Sequence, residues 1–424
     1  MWICGGLLPQ TCKAIGSVDR RINGGFMGAM LEPLLHLQGV DSVCILSWEP
    51  SCKIDFTEGR VRHVSFGCYS SGRWGVSVRD RRRVQEVVLE FKPDIVHILG
   101  TEGRFAALPK FVFEGCPVVV SLQGIMAMCG VAYNGFLTPW ELRPPFLSWS
   151  FIRNGFTILR EQKFWMTVRA SSEMSIFRRH HYFIGRTTFD KAWVAYYNNK
   201  AQYYHVDEIL RPQFYDEKVE RSHVVRHTLF CGGAAAYPLK GCHWLLRALA
   251  ALKTKYPDVK LRIANAEMLD GKISWWRRIK AGTYVWYLRK LICEFDIADN
   301  VVALPALSAD GVKEELQKAE LFVLPSVCEN SPNAIGEAMM LGTPVIASYV
   351  GGIPSIVSNN ETARLIPPAD AAYLAGTIDY LFEHPRQGVA LAAKARKTAL
   401  KRHCVNRNTQ ALLSAYESIL EGTK

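Results

Sequence analysis

The chain has 424 residues, 49% of them apolar and 21% charged, and its formal net charge is +12. This composition is that of a folded globular protein and excludes a disordered chain, and the length allows two domains of ordinary size. The basic excess favours acidic partners, namely nucleic acid, anionic lipid or phosphorylated substrates.

The cysteines and the apolar stretches of the sequence indicate the cellular compartment of the protein. The twelve cysteines are scattered and form no CxxC pair, so we expect reduced core cysteines and no structural zinc site. The first twelve residues, MWICGGLLPQTC, lack the basic region of a signal peptide. No stretch reaches the roughly 18 uninterrupted apolar residues of a spanning helix. The sequence therefore predicts a cytoplasmic protein.

The first half of the chain alternates short apolar runs with helical spacing. The apolar runs predict strands at residues 2–8, 42–47, 93–98 and 117–122. A long loop, residues 9–22, separates the first strand from the pair Gly24 and Gly25, which directly precedes a predicted helix at residues 26–37. Glycines in this position let the backbone approach a ligand closely, and a plain turn is the alternative. His97 alternates with apolar residues, which favours a core histidine.

Two polar residues follow predicted strands of this half. Gln123 comes after the strand at 117–122; its amide can bond a hydroxyl but cannot act as a base near neutral pH. Residues 182–185 predict the last strand of the first domain. Arg186 follows it and would point toward a phosphate or carboxylate of a substrate, with a salt bridge to Asp190 as the alternative.

Two segments combine aromatic and basic side chains. Residues 132–179 include Trp140, Trp149 and Trp165 among many arginines, and residues 273–292 have a similar composition with helical spacing. Such patterns suit a membrane interface, and the first also suits a lipid-linked acceptor or stacking on sugars. Packing inside the domain, with a solvated basic face, is the alternative for both.

The second half follows a polar linker at residues 212–226 and again alternates strands and helices. Strands are predicted at residues 227–231, 259–264, 300–304, 321–326 and 344–348, and helical spacing occurs at residues 244–253, 310–319 and 388–420. This alternation is typical of an open parallel sheet, in which ligands bind beyond the carboxyl ends of the strands.

The clearest site signal is the segment ENSPNAIGEAMMLG at residues 329–342. Ser331 is a predicted N-cap, Pro332 suits the first helical position, and Gly342 ends the helix. The helix directs its unbonded N–H groups toward the preceding loop, which makes an anion site. Glu329 and Glu337 bracket this site and suit the hydroxyls of a sugar or ribose. A capping role and a solvated charge are the alternatives.

These residues carry a family resemblance. Glu329 and Glu337 with seven residues between them, then Ala338-Met339, GTPVIAS at 342–348 and Gly351-Gly352, resemble the signature of GT4-type retaining GT-B glycosyltransferases, the glycosyl transferases group 1. The segment is most similar to bacterial members that build capsular polysaccharide, exopolysaccharide or lipopolysaccharide. The resemblance covers the second half well and the first half weakly.

The resemblance implies an α/β fold of GT-B type. Two Rossmann-like domains would face each other across a cleft, and a C-terminal helix would cross back to the first domain. We place the acceptor-binding domain at residues 1–211, the nucleotide-sugar-binding domain at 227–395 and the crossing helix at 396–424.

The resemblance also implies roles for individual residues. Family members clamp the donor diphosphate with a Gly-Arg and a Lys-Gly; Lys240-Gly241 matches the second, whereas Gly233-Ala234 stands where the first would be. The implied donor-binding residues are Gly24, Gly25, Lys240, Asn333, Ala334, Ile335 and Glu337. The implied catalytic group is Glu329, Gln123 and Arg186. Glu329 would hold sugar hydroxyls near the reacting carbon, and Gln123 stands where many members have a histidine.

The activity implied is retaining transfer of a sugar from a nucleotide-sugar donor to a lipid-linked or glycan acceptor in bacterial cell-surface polysaccharide biosynthesis. No cofactor or metal is expected, because no metal-binding carboxylate pair stands out, and no nucleic acid is expected, because no reading motif is present. We expect a cytoplasmic protein, with peripheral contact on the anionic inner face of the cytoplasmic membrane as an open question. The alternatives are a non-catalytic nucleotide-sugar-binding subunit of an assembly complex and a GT-B epimerase or phosphorylase.

Overall fold

The computed structural model describes residues 1–15, 25–48, 53–66, 76–142, 157–215, 221, 223–235, 237–271 and 282–423. The chain divides into two compact units. The first comprises Met1–Ala127, Thr167–Arg211 and His403–Lys424, and the second comprises Met128–Met166 and Pro212–Arg402. Each unit contains its own β-sheet.

The strands are short and most are continuous apolar runs. In the described part of the chain they are β1 (Trp2–Cys4), β2 (Val43–Trp48), β3 (Ile54–Glu58), β4 (Val61–Phe66), β5 (Val96–Leu99), β6 (Val118–Ser121), β7 (Tyr182–Gly185), β8 (Gln202–His205), β9 (Val225–Cys231), β10 (Lys260–Ile263), β11 (Val301–Ala303), β12 (Ala319–Leu324), β13 (Val345–Ser348) and β14 (Arg364–Ile366).

Helices alternate with these strands. They are α1 (Pro9–Ala14), α2 (Gly25–Leu35), α3 (Val78–Phe91), α4 (Met126–Val131), α5 (Thr157–Phe164), α6 (Ala170–Arg179), α7 (Thr188–Tyr197), α8 (Cys242–Lys253), α9 (Thr283–Glu294), α10 (Ala309–Lys318), α11 (Asn333–Met340), α12 (Ala371–Glu383), α13 (Pro385–Arg402) and α14 (Val405–Glu421). A π-helical turn at Trp165–Arg169 joins α5 to α6.

The first unit is built on an eight-stranded sheet in the order β3-β4-β2-β1-β5-β6-β7-β8. Neighbouring strands are parallel except for β3 and β4, which form an antiparallel pair. The prediction that β7 is the last strand was wrong, because β8 pairs with it in parallel. The β8 sequence, QYYH, is only partly buried at the edge of the sheet and therefore lacks an apolar run.

The loop predicted at residues 9–22 contains a helix. Helix α1 begins at Pro9, a residue type that suits the first helical position because it needs no N–H partner there. Residues 16–24, including Gly24, lie outside the described residues, and Gly25 is the first residue of α2.

The C-terminal helix α14 belongs to the first unit, whereas α13 belongs to the second. Helix α14 packs against α2, and its Tyr416 hydroxyl accepts a hydrogen bond of 3.0 Å from the indole N–H of Trp2. The predicted return of the C-terminal helix to the first domain is confirmed. The division falls at His403 and not at residue 396.

His97 lies in the core of the first unit, as predicted from its alternation with apolar residues. Its ring nitrogens lie 2.6 Å from the Tyr416 hydroxyl and 2.5 Å from Ser121 Oγ. Burial disfavours the charged imidazole and lowers the pKa of His97 to about 3. The histidine therefore stays neutral and links β5, β6 and α14.

The second unit is built on a six-stranded parallel sheet in the order β11-β10-β9-β12-β13-β14. Its core also takes in residues from the segment Met128–Met166, which the sequence analysis placed in the first domain. Tyr133, Leu137, Leu142 and Ile158 are buried in the same apolar cluster as strands β9 and β10. These four apolar side chains are therefore buried by the second unit, although the segment precedes the predicted linker.

Candidate functional site

Two loops at one edge of the second sheet form the candidate site. Strands β9 and β12 are parallel neighbours, so the loops after them emerge at the same edge. The first loop leads through a 3₁₀ turn, Pro238–Lys240, to α8, and the second leads to α11. The backbone N–H of Val327 donates to the carbonyl of Leu239 at 2.8 Å and joins the two loops.

Gly241 allows this close approach. Its φ of +73° is in the left-handed region, and a Cβ at this position would lie 2.0 Å from the carbonyl oxygen of Pro325. Only glycine meets both conditions without strain. The Lys-Gly pair predicted from the resemblance thus has a structural reason, because Gly241 brings Lys240 beside the loop that carries Glu329.

Lys240 and Glu329 form an ion pair at the centre of the site. The Lys240 Nζ lies 2.6 Å from Glu329 Oε1, which also accepts a hydrogen bond of 2.9 Å from Ser326 Oγ. The side chain of Lys240 is 35% exposed and that of Glu329 is 11% exposed. Burial opposes the charged ammonium, but the attraction and hydrogen bond of Glu329 raise the pKa of Lys240 above its ordinary value. The lysine is therefore cationic.

Helix α11 begins one residue later than predicted. Pro332, with ψ of 113°, is the extended residue before the helix and not its first residue, so Ser331 lies outside the capping position. Proline has no side-chain acceptor for the N–H groups of the first turn, which leaves this end suited to an external anion. Gly342, with φ of +67°, ends the helix as predicted.

The predicted donor-binding residues of α11 differ in burial and in whether their backbone N–H groups are already bonded within the helix. The side chains of Asn333 and Ala334 are half-buried, whereas Ile335 is fully buried and its N–H donates to the carbonyl of Pro332 at 3.1 Å. The N–H of Ile335 is therefore engaged within the turn in this structure. Glu337 is 6% exposed, which excludes the alternative that it is a solvated surface charge.

Gln123 and Arg186 lie together in the first unit, after the neighbouring strands β6 and β7. One terminal nitrogen of Arg186 donates to the Gln123 side-chain oxygen at 3.2 Å and to the carbonyls of Leu122 and Gln123 at 3.1 and 3.3 Å. The guanidinium forms an ion pair with Glu208 and is buried. These contacts orient the Gln123 amide.

The alternative pairing of Arg186 with Asp190 does not form between their side chains. The Asp190 carboxylate accepts the backbone N–H of Arg186 at 3.0 Å and takes part in a capping box with Thr187 at the start of α7. The ion-pair partner of Arg186 is Glu208, which follows the strand β8 that the sequence analysis missed.

A cavity of about 50 Å³ lies beside this group in the first unit. Its lining includes the polar residues Gln123, Arg186, Glu208, His97 and Ser121 together with the apolar Trp2. The cavity lies at the carboxyl ends of the parallel strands, where ligands of such sheets bind.

The sequence analysis missed two carboxylates beside the loops that follow β5 and β6, the half-buried Glu102 and the buried Glu173. Glu102 accepts the N–H of Gly124 at 3.1 Å, and burial raises its pKa. Glu173 is fully buried and accepts hydrogen bonds from the Thr101 hydroxyl at 2.7 Å and the Ala127 N–H at 3.0 Å. Burial raises the pKa of Glu173 to about 7. No local motif marks either residue.

The second sheet and its two loops match a known family model. Residues 226–401 fit the model described as glycosyl transferases group 1. These residues form a glycosyl transferases group 1 domain. The match includes both loops of the candidate site and the Lys240–Glu329 pair.

Two curated proteins are similar to the group 1 domain over part of their length. The MMP alpha-(1->4)-mannosyltransferase of Mycolicibacterium hassiacum is 32% identical over 178 residues, which cover 42% of this chain and 39% of that protein. The D-inositol 3-phosphate glycosyltransferase of Pseudarthrobacter chlorophenolicus is 30% identical over 193 residues, covering 44% of this chain and 43% of that protein. The chain thus spans about two fifths of the length of these curated relatives.

The fold is shared over a greater length than the sequence. The structure of Anabaena HepE, solved with UDP and glucose, is similar over 98% of each chain, with a TM-score of 0.62 and 16% identity. The predicted fold class is confirmed: the protein is an α/β protein of GT-B type with two Rossmann-like domains.

Gly233 and Ala234 stand where the resemblance implies a Gly-Arg pair. Gly233 has φ of +65°, and Ala234 is only 1% exposed. A buried methyl group therefore occupies the position at which the resemblance implies an arginine. The role of Lys240 at a diphosphate stays a prediction.

The described residues contain neither a metal-binding cluster nor a membrane-spanning helix. Within them, no cluster of three or more His, Cys, Asp or Glu side chains is arranged to hold a metal ion. None of the helices in the described ranges is both long and apolar enough to cross a membrane.

Proposed function

We propose that the protein is a retaining glycosyltransferase that moves a sugar from a nucleotide-sugar donor to a glycan or lipid-linked acceptor. The observation that carries the proposal is the Lys240–Glu329 pair, 2.6 Å apart, in the loops that precede the group 1 helices α8 and α11. A cation, a helix N-terminus and a carboxylate at one sheet edge suit a diphosphate that is joined to a sugar.

The donor would bind with its diphosphate at Lys240 and at the first N–H groups of α11, those of Asn333 and Ala334. Negative charge develops on the diphosphate as the sugar leaves, so a fixed cation and oriented N–H groups lower the barrier. Glu337, which is 6% exposed on α11, would accept hydrogen bonds from the ribose hydroxyls, as the family resemblance implies. Glu329 would accept from sugar hydroxyls near the reacting carbon.

The first unit would contribute Gln123 and Arg186 to the acceptor side. The amide of Gln123 is held by Arg186 at 3.2 Å, so it can hydrogen-bond an acceptor hydroxyl in a fixed orientation. It cannot remove a proton from that hydroxyl. Proton removal would then fall to the donor phosphate or to another group, and no metal ion is required by this scheme.

We further propose that the acceptor belongs to bacterial cell-surface polysaccharide biosynthesis and lies at an anionic membrane. Exposed apolar side chains on the segment Met128–Met166 support this: Trp140 is 76% exposed and Phe136 is 57% exposed. With a net charge of +12, such a surface suits peripheral contact with acidic lipid. Residues 143–156 and 272–281, which complete the two aromatic and basic segments, lie outside the described residues.

The test is thermal stabilisation of the purified protein by a panel of UDP-, GDP-, ADP- and TDP-sugars, followed by a transfer assay with the selected donor. A ligand at 100 times its Kd stabilises by roughly 2.7 kcal/mol, which is measurable. We expect one nucleotide to stabilise the wild type and Glu314→Gln, an exposed control, but not Glu337→Ala. The anomeric configuration of the product, read by NMR, tests retention.

A non-catalytic nucleotide-sugar-binding subunit is the second candidate, favoured by the buried Ala234 at the clamp position. It would show the same donor-specific stabilisation without donor consumption or transfer. A chain that consumes donor in the presence of acceptor membranes excludes this candidate.

A further inference from the structure

Two cysteine sulfurs meet beside the candidate donor site. Cys129 Sγ and Cys328 Sγ lie 3.9 Å apart, although 199 positions separate them in the sequence. Cys328 immediately precedes Glu329, and Cys129 is in α4. Both residues belong to the second unit.

The Lys240 ammonium lies within electrostatic reach of both sulfurs. Burial opposes its charge, Glu329 contributes most to raising its pKa, and Cys129 and Cys328 add to that rise. The two sulfurs therefore lie beside the cation that would hold the diphosphate.

We propose that Cys129 and Cys328 form a disulfide when the protein meets a peroxide, and that this bond weakens binding of a diphosphate at Lys240. The first part stands on the sulfur geometry alone. The second part rests on the proposed function of Lys240.

The chemistry balances with hydrogen peroxide as the oxidant. Cys129 is half-buried and Cys328 is 6% exposed, so peroxide reaches Cys129 more readily. The Cys129 thiolate attacks one peroxide oxygen, which gives a sulfenic acid and, after protonation, water. The Cys328 thiolate then attacks the oxidised sulfur, and the hydroxyl leaves as a second water. Two thiols lose two electrons and one peroxide is reduced.

Bond formation would disturb the site because the sulfurs must move. A disulfide is about 2.05 Å long, so sulfurs that are 3.9 Å apart must approach each other by about 1.9 Å. Cys328 lies between Val327, which bonds the lysine loop, and Glu329, which bonds Lys240. A displacement of about 1 Å in such a loop can reduce function by roughly 100-fold. We expect at least a tenfold weaker diphosphate affinity.

The experiment uses the full chain treated with hydrogen peroxide and then alkylated with N-ethylmaleimide. Peptide mapping without reductant should show a Cys129–Cys328 cross-linked peptide that disappears with dithiothreitol. Binding of inorganic pyrophosphate, UDP and GDP is measured by calorimetry before oxidation, after it, and after reduction. Cys129→Ser, with Cys129→Ala as a second variant, should bind normally and resist the effect of peroxide. Cys293→Ser removes an exposed thiol as the matched control.

The outcomes separate the two parts of the proposal. Absence of the cross-linked peptide, under conditions that oxidise Cys293, overturns the disulfide and leaves the sulfurs as ordinary core packing. A cross-link that leaves pyrophosphate, UDP and GDP binding unchanged overturns the effect on the site. If the reduced protein binds none of the three ligands, the proposed function of Lys240 fails, while peptide mapping still decides the disulfide.

Discussion

Replacing Glu329 with glutamine should strengthen binding of a nucleoside diphosphate and slow the transfer of sugar. In the structure the Glu329 carboxylate contacts Lys240 Nζ at 2.6 Å, so the cation that would hold the diphosphate already has an anionic partner. A bound diphosphate would be a second anion around the same ammonium. Glutamine keeps the shape and an acceptor oxygen for Ser326, and removes only the competing charge.

The size of the binding effect follows from Coulomb's law. Two oxygens that contact one ammonium from different sides are about 5 Å apart. At an effective dielectric constant between about 20 and 80, a full charge at that distance costs roughly 1 to 3 kcal/mol. Glu329→Gln should therefore bind the nucleoside diphosphate at least about fivefold more tightly, and the gain should shrink as salt concentration rises.

Turnover should fall in the same variant. If Glu329 holds sugar hydroxyls near the reacting carbon, loss of its charge removes charge-assisted hydrogen bonds worth about 1.5 to 3 kcal/mol. This corresponds to roughly a 10- to 150-fold lower rate of transfer. The two effects together would show that Glu329 acts on the sugar in the transition state and not as an anchor for the nucleotide.

The assay is calorimetry with the nucleoside diphosphate selected by the donor panel, alongside steady-state transfer. Glu314→Gln is the matched control, because it removes the same charge from an exposed position on α10. The reasoning is refuted if Glu329→Gln is folded and binds the diphosphate no more tightly than the wild type. Unchanged turnover would separately reject the role of Glu329 at the sugar.

Three further predictions concern the loops, the buried carboxylate and the surface. Gly241→Ala should lower the free energy of unfolding by more than about 1 kcal/mol and weaken donor binding. Thermal denaturation and calorimetry measure the two effects. The control Gly376→Ala lies in a helix, where a Cβ meets no atom within 4 Å, and should leave stability unchanged or raise it. Burial raises the pKa of Glu173 from its ordinary value of 4.5 to about 7, so the folded state holds a proton that the unfolded state releases between these pH values. The free energy of unfolding should therefore fall by up to about 3 kcal/mol as the pH rises from 4.5 to 7. Urea titrations should show a flatter profile for Glu173→Gln. Trp140→Ser should reduce co-sedimentation with anionic vesicles roughly tenfold, and Tyr196→Ser, an exposed aromatic of the first unit, should not.

Local patterns were sufficient to predict the strands and helices that surround the candidate donor site. The apolar run at β12, the helical segment that follows and the stop at Gly342 are encoded within consecutive residues, and the structure reproduces them. The start of α11 was misplaced by one residue because the preferences of Ser331 and Pro332 do not specify ψ. Pro332 adopts an extended ψ of 113°, which a statistical preference for the first helical position does not exclude.

Long-range pairings could not be read from the sequence. Glu208 is the partner of Arg186, but it follows an edge strand without apolar alternation, and Asp190 was closer in sequence. Glu102 and Glu173 meet the loops after β5 and β6 only through the tertiary fold. The segment Met128–Met166 was placed in the wrong unit for the same reason. Buried side chains of this segment pack on a sheet whose first strand begins almost 60 residues later in the chain.

The Lys240–Glu329 pair shows what a motif leaves out. The sequence pattern suggested a cation for the diphosphate and a carboxylate for the sugar, but not that the two neutralise each other across 2.6 Å. The ion pair would hold both side chains in place before the donor arrives, since Lys240 Nζ and Ser326 Oγ both donate to Glu329 Oε1. A donor that brings an anion to Lys240 and hydroxyls to Glu329 would give both groups new partners together. Binding would then favour an intact nucleotide-sugar over a free diphosphate. A free diphosphate pairs with the Lys240 ammonium but places its negative charge beside the Glu329 carboxylate without offering it a hydroxyl.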